Sequence, residues 1–198
     1  SSGGSSHVCV CDAWLAWAAD NGIDPVIMAY IGRYGAEALY DNNGESAFAS
    51  PRSWEMASRV LSTVDEADAK RVVAACVGVE AAEKFTTYLR IFQRVNAKKI
   101  VEKGQVIDFS KGRHAEPSFV YAAVFSVAAW LVNEGEVTDA SLPNVVKFMN
   151  SKGLDPEFIF LFLRQIKANP SLLPRLKRLP AFRKLADQLV NLHVELYR

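Results

Sequence analysis

The chain has 198 residues, half of them hydrophobic, with 23 basic against 22 acidic side chains. That length can bury one large core or two small ones, and the near-cancelling charge excludes a partner attracted by bulk charge, so any electrostatic argument must be local. The three cysteines Cys9, Cys11 and Cys76 supply neither a disulfide framework nor a paired metal-ligand set, which suits a reducing, cytoplasmic compartment.

Residues 1–6, "SSGGSS", are neither a signal nor a transit peptide and read as a flexible linker or a tag remnant. "HVCVC" at His7–Cys11 is strand-like but too short to build a sheet by itself. After it the chain is written in helical grammar, with proline just inside a start and a capping side chain before it: Asp24-Pro25, Ser50-Pro51, Asp155-Pro156 and, more loosely, Glu116-Pro117. Apolar residues then recur at helical spacing, as in Trp54, Ala57, Leu61 and Val64 or Phe85, Leu89 and Phe92. The pattern predicts an all-α fold with helices over 12–21, 25–39, 51–63, 66–77, 79–95, 117–134, 143–152, 156–168 and 180–197. Two helical domains follow, at 7–95 and 116–198, joined by a polar, glycine-punctuated linker at 96–115.

The most apolar run, Phe119–Val132, is shorter than the roughly 20 residues a bilayer requires, so it reads as a central core helix and no membrane partner is expected. "NGIDP" from Asn21 and "KGLDP" from Lys152 echo each other, which a helix stop followed by a capped start explains without a repeat. Cys76 reads as a small buried hydrophobe. The acidic pair Asp65 and Glu66 sits at a helix start, where capping and the helix dipole account for it.

Several enzyme classes can be set aside. There is no G-x-x-x-x-G-K-[ST] loop, no strand followed by G-x-G-x-x-G, no G-x-S-x-G elbow and no H-E-x-x-H helix. His7, His114 and His193 are far apart in sequence and carry no metal-ligand spacing, so no metal site is expected. The chain by itself does not read as an enzyme.

Two features remain. Arg52 stands in the first turn of the helix that Ser50 and Pro51 open, where the dipole disfavours a cation. Its simplest role is an exposed arginine paired with Glu55 or Glu45, worth at most about 1 kcal/mol. Its functional role would be as a phosphate ligand, since a guanidinium beside a helix start suits an anionic oxygen. The second feature is the stretch from Phe158 to Ala186, which has no acid but carries Arg164, Lys167, Arg175, Lys177, Arg178, Arg183 and Lys184. A solvated face covering apolar residues accounts for it, as does a patch for an acidic protein or a nucleic-acid backbone. Phe158, Phe160 and Phe162 in the same stretch read as packing residues.

"FASPRSWEMASRVL" resembles the second-sensor segment in the α-helical lid of MoxR-type AAA+ ATPases, phage and prophage members above all, where Pro-Arg-[Ser/Thr]-Trp opens a lid helix. "DAWLAWAADNGIDPVIMAYI" resembles the first lid helices of that family, and "DPEFIFLFLRQI" to "LPAFRKLADQL" its C-terminal helical extension. The resemblance implies that 7–95 is the lid, that Arg52, on a helix start formed with Ser50, Pro51 and Ser53, reaches the nucleotide phosphates, and that the extension contacts partners or neighbouring subunits. It further implies a nucleotide-binding core upstream of His7 in a longer parent protein, with "HVCVC" as that core's last strand or exit. ATP and magnesium would then be bound by the parent, and this portion alone would hold no cofactor and hydrolyse nothing. The alternative is a free-standing helical module that binds nucleic acid or an acidic protein through the basic 164–184 surface.

Overall fold

A computed structural model describes residues 10–42, 44, 46–134 and 137–196. These residues are helical in every regular element, as the apolar periodicity predicts, apart from an isolated antiparallel bridge between Asp41 and Ala49. The chain divides into two compact units, the first ending at Arg90 and the second beginning at Ile91.

The first unit holds α1 (Val10–Asp20), α2 (Pro25–Tyr34), α3 (Ala36–Leu39), α4 (Pro51–Leu61), α5 (Glu66–Val77) and most of α6 (Val79–Phe92). The expected strand is overturned where it is described. Val10 and Cys11 already belong to α1, because the buried positions Cys11, Trp14, Leu15 and Ala18 keep helical spacing through the local alternation; His7–Cys9 lie outside the described residues. The helix expected over 25–39 is interrupted at Gly35, whose φ of 77° is a conformation that glycine tolerates and side chains resist. Asp24 accepts the Val26 N–H at 2.9 Å, so α2 starts as its Asp-Pro signal predicts. Asp65 occupies the start of α5 without a side-chain capping bond, leaving only its charge to favour that end. Cys76 is half-buried and desolvation raises its thiol pKa. The core is an aromatic cluster: the rings of Tyr30, Trp54 and Phe85 lie 5.5 Å apart pairwise, and Tyr88 is 5.8 Å from Tyr30.

The second unit holds α7 (Ala97–Lys103), α8 (Pro117–Ala129), α9 (Leu142–Met149), α10 (Pro156–Ile166), α11 (Leu172–Leu176) and α12 (Pro180–Leu196). The apolar run becomes α8, extended by a π-helical segment at Trp130–Glu134. α8 buries Val120, Ala122, Ala123, Val124, Phe125, Val127 and Ala128 against α7 and α10, while α9 packs on α7, α11 and α12. Residues 96–115 are not a plain linker. Asn96 caps α7 through the Lys99 N–H at 2.9 Å, and Ala97, Ile100, Val101, Ile107 and Phe109 are all buried. The C-terminal carbonyls of α7 are met from α9: Asn144 Nδ2 donates to the Val101 carbonyl at 2.8 Å and Lys147 Nζ to that of Gly104 at 3.3 Å. Each larger aliphatic side chain so buried contributes about 1.5–3 kcal/mol, enough to fold a segment whose polar surface reads as a connection.

The two echoed segments share a positive-φ glycine and differ in place and surroundings: the Ile23 N–H after Gly22 bonds back to Ala18 in α1 at 3.1 Å, whereas Gly153 lies in a turn beyond α9 that the Leu154 N–H closes on the Ser151 carbonyl at 3.1 Å. Gly22 and Gly153 have φ of 66° and 79°. A Cβ on Gly22 would meet open space, whereas one on Gly153 would come within 2.4 Å of the Ser110 nitrogen and 2.6 Å of the Phe109 carbonyl carbon, both backbone. Gly153→Ala is therefore expected to cost at least about 2 kcal/mol and lower the melting midpoint by roughly 10 °C, against about 1 kcal/mol for Gly22→Ala, where only the φ strain applies. Circular-dichroism melts of the two variants check this, and equal midpoints would refute the close-approach account.

Candidate functional site

The site is built on α4. Ser50 is extended at φ −153° and ψ 162°, and its Oγ accepts the Ser53 N–H at 3.1 Å, while Ser53 Oγ accepts the Ser50 N–H at 2.8 Å. This is a reciprocal capping box with serine in place of the usual glutamate. Ser53 Oγ is also 2.8 Å from the Phe48 carbonyl, which ties the incoming chain to the helix start. Pro51 has no N–H, and the Trp54 N–H already follows the helical pattern to the Ser50 carbonyl at 3.0 Å. Arg52 therefore keeps the one first-turn N–H without a partner among the described residues.

Three contacts fix the orientation of α4. Trp54, fully buried, donates its indole N–H to the Ala38 carbonyl at 2.8 Å. Ala57 is likewise buried, and Ser58 Oγ accepts the Asp24 N–H at 2.8 Å, bolting α4 to the start of α2. Burial beside that bolt raises the Asp24 carboxyl pKa, opposed by its bond from the Val26 N–H. Leu61, expected on the buried stripe, is only half-buried at the helix end.

With that side buried, Arg52 projects from the other and is exposed. Glu55, one of its two anticipated counter-ions, pairs with Arg59 at 2.5 Å, and Glu45 lies outside the described residues. No ion pair engages Arg52 among the described residues. Met56, 52% exposed, and Val60, also exposed, follow it at four-residue steps. Arg52, Met56 and Val60 thus form one outward stripe, a cation followed by two apolar side chains. The spacing of these apolar residues is legible in the sequence, but it is overshadowed by the stripe of Trp54, Ala57 and Leu61 that marks the inward side of the same helix.

The basic residues divide by role. Arg175 makes a two-pronged contact with Asp139 Oδ1, 2.9 Å from Nε and 2.7 Å from Nη2, and also donates to the Val137 carbonyl at 2.6 Å, so it holds the chain before α9. Arg183 donates to the carbonyls of Lys177 at 3.1 Å and Arg178 at 3.1 Å, closing the turn between α11 and α12. That turn gathers Lys177, Arg178, Arg183 and Lys184 into one exposed corner, while Arg164 and Lys167 lie apart at the end of α10. Phe158 and Phe162 are buried as expected and Phe160 is exposed. His114 is exposed with its ring 4.7 Å from Phe119, a packing contact.

Among the described residues no three His, Cys, Asp or Glu side chains gather as a metal site, and no helix is long and apolar enough to cross a membrane. Comparison of the chain with protein-family models, with curated proteins and with solved structures finds no match.

Proposed function

We propose that this chain is the nucleotide-sensing lid and helical extension of a MoxR-like AAA+ ATPase, with Arg52 reaching phosphates bound by another part of the parent protein. The observation that carries the reading is Arg52 itself: an exposed guanidinium on a rigidly bolted helix start, with no counter-ion among the described residues. A phosphate oxygen would supply the missing charge, and the unpartnered Arg52 N–H and the helix dipole would add to the attraction. The capping box limits that addition, since it already engages the Ser53 N–H. ATP and magnesium belong in this reading to the parent's core, which would supply the phosphate-cradling loop and water-activating acid that this sequence lacks.

The test compares wild type, Arg52→Ala and Arg52→Lys in the complete ATPase that carries this segment. Loss of an exposed arginine shifts stability by less than about 0.5 kcal/mol, so melting should not change. Loss of a phosphate contact should lower turnover or ATP affinity by roughly one to two orders of magnitude, and lysine should restore only part because it lacks the planar fork. Unchanged turnover and affinity in Arg52→Ala would make the arginine a surface residue, and a coding sequence without a P-loop ahead of residue 7 would remove the reading altogether.

The α11–α12 turn favours a second reading, a basic surface for nucleic acid or an acidic protein. Arg183, by holding the carbonyls of Lys177 and Arg178, places cations from two helices at one corner. If that corner holds a nucleic-acid backbone, affinity should fall steeply from low to physiological salt as counterions are released, and Lys177→Ala with Lys184→Ala should flatten the slope by about two. Absence of binding at low salt excludes nucleic acid.

A further inference from the structure

A cleft of about 640 Å³ opens in the first unit, lined by residues of α2, α3 and α6 and by Tyr40, Asp41 and Ala49. Its chemistry comes from Tyr30, Tyr34, Tyr40, Glu37, Asp41 and Lys84. Tyr30 is buried, and its ring stands 5.0 Å from that of Tyr34, so the inner wall is aromatic and held by the core. Tyr34 and Tyr40 are 45% and 56% exposed, an unusual outlay of large aromatic surface. Tyr34 already accepts one cation on its ring: the Arg33 guanidinium carbon is 5.0 Å from the centroid.

The charge balance of the cleft is negative. Lys84 is tied to Glu80 at 2.8 Å, and its pKa is raised first by that hydrogen bond and charge, then by the fields of Asp41 and Glu37. Of the charged side chains that line the cleft, Glu37 and Asp41 are two carboxylates against one ammonium, and that ammonium is already paired with Glu80. The remaining acidic character, beside exposed aromatic rings, suits a cation on an apolar stem, as arginine and lysine side chains provide. A volume within the usual 300–1,000 Å³ of ligand pockets is about that of a few residues of peptide and more than a small inorganic cation fills.

We propose that this cleft binds a short basic segment of a partner protein, an arginine or lysine side chain lying against Tyr34 and Tyr40 while Glu37 and Asp41 meet its charge. Arg52 is not among the lining residues, so the cleft stands whether or not the nucleotide-sensing reading does. The internal ammonium of Lys84 competes with the incoming one, which makes it a built-in attenuator of affinity.

Calorimetric titration of the whole chain with acetyl-Arg-Leu-Arg-amide tests the proposal, with acetyl-Glu-Leu-Glu-amide and spermine as comparison ligands. Saturable binding of the arginine peptide and none of the glutamate peptide is expected. Tyr40→Ala and Asp41→Asn should each weaken it by about three- to tenfold, and Lys84→Ala should tighten it by a similar factor. The Lys84→Ala gain is a result that a merely misfolded variant cannot produce, and melting curves of Tyr40→Ala and Asp41→Asn check that a loss of binding is not a loss of fold. The proposal is overturned by the absence of binding up to millimolar peptide, or by affinities that do not respond to Tyr40→Ala and Asp41→Asn. Spermine binding with the peptide's affinity and the same variant sensitivities would assign the cleft to free polyamines and likewise overturn the peptide proposal.

Discussion

The burial of the Trp54 indole is the constraint on which the first unit depends. A tryptophan with no exposed surface brings a large apolar area into the core, but its N–H must find an acceptor or cost a few kcal/mol. The Ala38 carbonyl supplies that acceptor, and this single bond ties α4 to α3 while the ring locks against Tyr30 and Phe85. Rotation of α4 about its axis would break the bond and expose the ring together. Arg52 therefore faces outward because Trp54, two positions later, cannot.

The same geometry links two surfaces that sequence distance keeps apart. Ala38, which receives the Trp54 bond, is also in the wall of the tyrosine-lined cleft. The helix that presents Arg52 and the cleft that gathers acid are thus parts of one scaffold. In the second unit the basic residues are less uniform than their spacing suggests. Arg175 and Arg183 are committed to carbonyls and a carboxylate of their own chain, so they shape the turn as much as they charge it.

What could be read from the sequence followed from local chemistry. Ser50-Pro51 and Asp24-Pro25 marked true helix starts because capping and fixed φ act within a few residues, and the run from Phe119 marked the buried α8 because it has no polar face to present. The exposed place of Arg52 was legible for the same reason. α7 was not, since "AKKIVEK" offers three buried side chains in seven and draws its stability from α9. Of the strand expected at His7–Cys11, the described end, Val10 and Cys11, follows the longer helical period of α1 and not the two-residue alternation. Ser50 and Ser53 were placed together at that helix start, but their reciprocal bonding was not legible because serine replaces glutamate at the third position. The cleft escaped because Tyr30, Asp41 and Lys84 come from separate segments, joined only when α2, α3 and α6 assemble.

The dependence of α7 on Asn144 reaches beyond the folded state. The side chain that satisfies the Val101 carbonyl lies 43 residues later in the chain. As the polypeptide emerges from its N-terminal end, α7 is made well before the helix that completes it, and seven residues are too few to hold a helix in water alone. α7 is thus a late-closing element of its unit. Its amide protons bond within the helix and its cap, but its last carbonyls find their side-chain donors only when α9 is in place, so the polar connector acquires its finished end from an element made after the apolar centre.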